Sequence, residues 1–435
     1  MSNAEFDYKK ILVAHPERQH SFRVAEALYK KGMLYKYVTT VYDKKSSTLM
    51  RMLKLFLNRK DLKKANSRRM QAVPDSEVVQ FCELEGLFFL LAWRIDKKKR
   101  VLWHIQRHVS NRFQKKLARY IIENKVGVVI SYDLHSKLLF EILDREAPQV
   151  IRIIDDAHPN RNALYDIYKK LEQQSGPFAV THSGLERWLT DEGLANEYGV
   201  ESRLADLHIA ASTFSRSTIQ FNGFSNDRII LAPYGVDGSV FKPKNKCFDG
   251  KLKVLFVGSI NQRKGIYQIL EAAKQLNGHG VEFTLVGSGR AQTPELYRPY
   301  EGYVTFKDWV SQDELSNLYG TSHVFVFPSM GEGFGLVLLE AMSAGLPIIA
   351  SRNCAGPDLI EDGKNGFLIE AGSVDQLVEK IEWFIENKEK LPQMQECAMA
   401  TARTMTWKAY EANLTEQLTE KIPAVLAAKE EALRK

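Results

Sequence analysis

Residues 328–351 read PSMGEGFGLVLLEAMSAGLPIIAS, and this stretch decides the fold. The run before it, HVFVF at 323–327, is a short apolar segment suited to a buried strand. A tight glycine turn follows at 331–335, GEGFG. LVLLEAMSA then has the composition of a helix, which Gly345 stops, with Pro347 just beyond. IIAS opens the next strand. A strand, a glycine turn and a helix in that order present free backbone N–H groups at the helix start. The helix dipole adds partial positive charge there, so a phosphate is favoured. The effect is worth about 0.3–1 kcal/mol at an exposed end and up to ~2 kcal/mol when partly buried.

Two carboxylates flank the turn. Glu332 sits within it and Glu340 within the helix, seven residues apart from one another in between. An acid beside an anion site would repel phosphate, so these groups suit hydroxyls better. A carboxylate accepts two hydrogen bonds from a vicinal diol such as that of ribose or a hexose. Hydrogen bonds to a charged group contribute about 1.5–3 kcal/mol each. A phosphate site with two diol-reading carboxylates describes a site for a nucleotide-sugar. The plainer alternative is an ordinary Rossmann-like crossover with solvated glutamates.

The whole run resembles the E-x7-E segment of the retaining glycosyltransferases of family 4 (glycosyl transferases group 1), which have the GT-B fold. The resemblance implies an α/β chain of two doubly wound Rossmann-like domains facing a central cleft. The first, acceptor-binding domain would span 1–235 and be completed by the terminal helix, 410–435. The second, donor-binding domain would span 236–409. It also implies site residues. Glu332 would face the donor hexose and Glu340 would hold the ribose. Gly333, Phe334, Gly335 and Leu336 would lie against the sugar and phosphates. Arg263 and Lys264, in the turn of KLKVLFVGSINQRKG at 251–265, would bind the diphosphate. His158 would meet the hexose from the opposite side of the cleft. The loop 307–310, ending at Val310, falls where the family's backbone reads the base, with Trp309 beside it either stacking there or packing in the core. The catalytic set would be His158, Glu332, Arg263 and Lys264. The resemblance is strongest over 204–418, where LAD at 204–206 running to Ser212 and PYGVDGSVF at 233–241 match the segments that close the first domain and link the two.

The remaining composition sets bounds. The chain has 435 residues, 44% of them hydrophobic, enough for more than one sizeable core. No apolar run approaches the ~20 residues a membrane span requires; GLFFLLAW at 86–93 is the most apolar. The polar N-terminus does not read as a signal peptide. Four scattered cysteines, Cys82, Cys247, Cys354 and Cys397, form neither a metal-ligand spacing nor a disulfide framework, which fits a reducing cytoplasm.

Along the first half, KILVAH, SFRVAEALYKKG and YKYVTTVY predict a strand at 10–15, a helix from Ser21 as cap, and a strand at 35–42. The first turn lacks any glycine, so it is not a dinucleotide fingerprint. It offers His15, Arg18 and His20 instead, as acceptor-side candidates or as solvent-facing polar residues. The turn carrying Arg263 and Lys264 is not a P-loop, because the lysine precedes the second glycine and no Ser or Thr follows. Asp155 and Asp156 form an acidic pair that imitates a metal site. The donor cations and the helix start make a metal unnecessary, and no cofactor is expected. The net charge of +7 is concentrated early, in 47–70 and 94–119. Amphipathic helices with such basic faces suit an anionic membrane surface, or simply solvent. No nucleic-acid-reading element is present.

These readings converge on a hexosyltransferase using a UDP- or GDP-sugar and a glycan or lipid-linked acceptor, in cell-surface polysaccharide or glycolipid synthesis. The rivals are a phosphorylase-like or donor-hydrolysing enzyme on the same fold and a non-catalytic nucleotide-sugar-binding scaffold.

Overall fold

The apolar runs of the first half assemble into one parallel sheet in the order β3-β2-β1-β4-β5-β6-β7. The strands are β1 (Asp7–Ala14), β2 (Leu34–Thr39), β3 (Val78–Gln80), β4 (Val126–Tyr132), β5 (Ile151–Asp156), β6 (Leu207–Ala210) and β7 (Ile229–Leu231). The computed structural model describes residues 6–17, 20–55, 59–95, 102–180, 189, 191–244 and 250–435. β4 and β5 are buried along their whole length, as strands covered on both faces must be. The two faces alternate along β1. Ile11 and Val13 join the core with Val24 and Leu28 of the helix Ser21–Lys30. Leu12 and Ala14 pack with Phe113, Leu117 and Phe140 of the helices Leu102–Glu123 and Lys137–Glu146.

The second half repeats the design. Its sheet has the order β10-β9-β8-β11-β12-β13, also parallel. These strands are β8 (Leu252–Val257), β9 (Val281–Val286), β10 (Val304–Lys307), β11 (Val324–Phe327), β12 (Ile348–Ser351) and β13 (Gly366–Ile369). In both sheets the winding direction reverses beside the first strand, between β1 and β4 and between β8 and β11. Loops diverge at such a reversal and leave a crevice at the carboxyl ends of the strands. The expected pair of doubly wound sheets is present.

The chain crosses between the sheets twice at one place. Val236 pairs with Thr406, and the Val236 amide donates to the Met405 carbonyl at 2.9 Å. Beyond the crossing, the helix Trp407–Arg434 returns to the first sheet. Lys30 meets Glu411 at 2.7 Å, and the side-chain amides of Asn413 and Gln417 donate to the Leu231 carbonyl at the edge strand. This helix continues through Pro423 without a break in its assignment.

Two local expectations are corrected. The second strand stops at Thr39, and Val41 and Tyr42 are buried in the loop beyond it. Ser21 does not cap its helix: its hydroxyl meets the Tyr37 hydroxyl at 3.0 Å inside the core. Among the described residues no helix is long and apolar enough to cross a membrane.

Candidate functional site

The turns expected on the donor side follow β8 and β11 and interlock. Gly265 adopts φ +73°, and a Cβ there would sit 2.0 Å from the Pro328 carbonyl, so only glycine lets the two turns meet. The Arg263 carbonyl accepts from the Met330 amide at 2.8 Å and the Ser329 hydroxyl at 3.0 Å. This contact brings Arg263 and Lys264 onto Glu332. Arg263 Nη1 lies 2.9 Å from Glu332 Oε2, and Lys264 Nζ donates to the same oxygen. Burial alone would raise the Glu332 carboxyl, but Lys264 and Arg263 hold it down at about 2, and His158 adds to the effect. Two cations share one carboxylate, leaving one positive charge in excess at the turn.

Gly335, at φ +88°, caps the helix Leu336–Ser343, which starts directly after the turn that carries Glu332. Leu336 is exposed at the helix start, while Phe334 is buried against Tyr234 with ring centroids 5.3 Å apart. Glu340, one turn further along, accepts from the Tyr319 hydroxyl at 3.0 Å. Burial raises its carboxyl despite that bond. Val310, beyond β10, is half-buried against the core, and Trp309 next to it lies outside the core, 74% exposed.

Facing these turns, the first domain presents the ends of β1, β4 and β5. His158 Nδ1 lies 3.0 Å from Asp133 Oδ2, and Arg161 donates to the same oxygen at 2.8 Å. Burial opposes ionisation of Asp133, but His158 and Arg161 outweigh it and keep its carboxyl well below the usual range. The His158 ring remains partly exposed. A Cβ on Gly333 would lie 2.3 Å from the Ala157 carbonyl and 3.4 Å from His158 Cα. Glycine there is what lets the donor turn approach the His158 segment so closely. Of the acceptor-side candidates, His15 is buried at 1% exposure, with Nδ1 accepting from the Glu17 amide at 2.9 Å. His20 is drawn inward to Asp155 at 2.9 Å and to the Tyr234 hydroxyl at 3.1 Å. Arg18 lies outside the described residues. The acidic pair is divided, since Asp156 bonds His208 at 2.8 Å on the other side of β5 from Asp155. No group of three or more potential ligands that could hold a metal ion occurs among the described residues.

Residues 239–400 match the family model described as glycosyl transferases group 1. The match lies within the second domain and spans nearly all of it. Sulfoquinovosyl transferase SQD2 of Arabidopsis thaliana is 29% identical over 222 residues, 48% of this chain and 43% of its own length. The chain spans about half the length of the curated relatives it matches. Among solved structures, sucrose-phosphate synthase from Thermosynechococcus elongatus superposes with a TM-score of 0.62 at 17% identity, covering 96% of this chain and all (100%) of that one. Anabaena HepE, solved in complex with UDP-glucose, superposes at 0.59 and 16%, covering 94% of this chain and 99% of that one. The two facing sheets are therefore the GT-B fold of glycosyltransferases.

Several contacts that build this site carried no signal of their own in the sequence. The Gly333 carbonyl accepts from the hydroxyls of Ser212 and Ser215 at 2.6 and 2.7 Å. Ser212 caps the helix Thr213–Phe221, whose Thr213 amide also donates to Asp358. These contacts tie the donor turn to the first domain. Glu201 is buried, and its carboxylate oxygens accept from the Leu134 and Ser136 amides. Leu134 has φ +72°, a strained conformation for a residue with a side chain of that size. Glu201 thus holds the turn on which Asp133 stands. Spacing could not reveal this, because the two residues lie 67 and 65 positions from their partners.

Proposed function

We propose that this chain is a retaining hexosyltransferase that takes a UDP- or GDP-sugar and passes the hexosyl unit to a glycan or lipid-linked acceptor. The observation that supports it most is the Arg263–Lys264–Glu332 cluster at the start of a helix, set against His158 across the cleft. In the reaction the bond from the anomeric carbon to the diphosphate breaks. A bond to the acceptor oxygen forms on the same face, and the hydroxyl proton passes to the departing diphosphate. Arg263, Lys264 and the first amides of the helix Leu336–Ser343 stabilise the charge that develops on that diphosphate. Glu332 and His158 address the hexose, and Glu340 the ribose. None of these roles needs a divalent ion or a cofactor.

Two relatives support the donor class: one is named a sulfoquinovosyl transferase, and one is solved with UDP-glucose. We take the working location to be the cytoplasmic side of an anionic membrane. The helix Glu83–Ile95 supports this, since it exposes Leu84, Phe88 and Leu91 along one face. Beside it, the helix Leu102–Glu123 exposes Lys115, Lys116 and Arg119.

The test is a thermal-shift screen of UDP, GDP, ADP and their sugars, followed by turnover of the donor that binds. Glu340→Ala is expected to weaken binding of the nucleotide at least tenfold by calorimetry, since a charged hydrogen bond to the ribose is worth about 1.5–3 kcal/mol. No shift with any nucleotide would overturn the reading. Turnover that requires inorganic phosphate would identify a phosphorylase instead, and donor loss without an acceptor a hydrolase.

A further inference from the structure

A cavity of about 310 Å³ lies in the first domain between the helices Leu102–Glu123, Lys137–Glu146 and Glu192–Arg203. Its floor is polar and buried. Ser110, Gln114, His135 and Glu201 are each at most 6% exposed. Four polar side chains taken out of water in one place are costly unless they are paired or serve a ligand. They are held in fixed orientations. His135 Nδ1 and Ser110 Oγ are 3.0 Å apart, the Gln114 amide donates to Ser110 Oγ at 3.0 Å, and its carbonyl accepts from the Leu139 amide at 3.0 Å. Trp103 forms part of the wall, its indole fixed by the Arg107 guanidinium 5.3 Å from the ring centroid. Glu141 stands exposed at the rim.

The lining charges cancel. Arg107 and Lys137 both reach Glu197, at 3.1 and 3.8 Å. Burial pushes the Glu201 carboxyl up to about 8, so it is protonated near neutral pH. The two other acidic side chains of the lining, Glu141 and Glu197, are matched in number by the two cations. A phosphate would find both cations already paired. A neutral ring bearing hydroxyls fits better, because its edge can exchange hydrogen bonds with amide, hydroxyl and imidazole groups while its C–H face packs on an indole. The volume is at the lower end of the roughly 300–1,000 Å³ that small-ligand sites span, which suits a small saccharide. The wall also leads to the chemistry: Leu134 and His135 follow directly on Asp133, which holds His158.

We propose that this cavity is an acceptor-side saccharide subsite, which holds a neutral sugar ring of the acceptor and selects it by its hydroxyls rather than by a phosphate. The proposal rests on the transferase reading above and adds the class of acceptor to it. The experiment is saturation-transfer NMR on the full chain with UDP. The ligands are the methyl pyranosides of glucose, galactose, mannose and N-acetylglucosamine, with mannose 6-phosphate as the anionic control. At least one neutral glycoside should receive saturation. Trp103→Ala and Glu141→Ala should each weaken that binding, Trp103→Ala by roughly tenfold, with UDP binding and melting temperature unchanged. Glu141 is exposed, so its substitution keeps the test valid if Trp103→Ala folds poorly. UDP binding with no neutral glycoside bound, a signal that survives both substitutions, or binding of the phosphorylated sugar alone would overturn the subsite. Failure of UDP to bind the wild type would overturn the donor reading instead.

Discussion

Glu332 stands between two cations, and this makes it a stabilising group as well as the proposed contact to the hexose. Its carboxyl, ordinarily at 4.5, is held at about 2 in the folded chain. A group whose folded value is depressed contributes stability that is complete above its unfolded value and lost as pH falls through the folded one. Glu332→Gln should therefore cost about 3 kcal/mol at pH 7, the lower end for breaking a buried pair. Its deficit relative to wild type should shrink as pH is lowered from 4.5 toward 2, as read by denaturant melts across that window. A constant deficit would show that Glu332 is not tied to Arg263 and Lys264 in solution. For the cations themselves, Arg263→Ala and Lys264→Ala should each lower kcat by about 10²–10³ while changing donor affinity less, because their charge acts mainly as the leaving group departs. Wild-type turnover should persist in EDTA; loss restored by Mg²⁺ or Mn²⁺ would overturn the metal-free reading. At this scale the sequence was informative where a residue sits inside a run with its own grammar, as Arg263, Lys264, Glu332 and Glu340 do. Asp133 and Glu201 have no such run. Their importance comes from long-range partners and from the left-handed turn at Leu134, which only the folded chain displays.

Among the elements, the pair of helices Glu83–Ile95 and Leu102–Glu123 differs most from the ordinary helix of a doubly wound sheet. Leu84, Phe88 and Leu91 are spaced to lie on one side of the first helix and are 68, 58 and 51% exposed. The 86–93 run was legible as apolar, but its periodicity does not say which side meets the sheet. The structure answers through Gly86, where a Cβ would fall 2.7 Å from the Thr40 hydroxyl, so the helix backbone lies close on the loop after β2 and turns Leu84, Phe88 and Leu91 outward. Part of the charge read as a membrane face is spent internally: Lys54 pairs with Asp43, Arg69 with Asp75 and Arg112 with Glu85. Wild type should float with anionic vesicles at low salt, each nearby Lys or Arg contributing roughly 1 kcal/mol. Replacing Leu84, Phe88 and Leu91 together by Ser, or reversing Lys115, Lys116 and Arg119, should each abolish flotation. A wild type that never floats would end this proposal. In the second half the strand, turn, helix and strand of 323–351 were readable, because short apolar runs bounded by glycine turns permit little else.

For the whole molecule, the two sheets meet through the donor turn and through the crossing of Val236 and Thr406. The helix beyond the crossing buries Tyr410, Leu414, Leu418 and Ile422, each worth about 1.5–3 kcal/mol if fully transferred from water. A chain ending at residue 405 should therefore melt in two steps, with the second domain near its usual temperature and the first well below it. Calorimetry with limited proteolysis would show this, and a single unshifted transition would contradict it. The adjacency of Val236 and Thr406 has a further consequence for the order of events during synthesis. In topological terms the second domain is an insertion into the first, with entry and exit side by side. It can close as soon as its own stretch has left the ribosome, while the first domain, although made earlier, waits for the last helix. The usual order of N-terminal domain first is then inverted in its final step. Until the helix Trp407–Arg434 has been made and has docked, β7 keeps an open edge beside which a chaperone or a neighbouring nascent chain could bind.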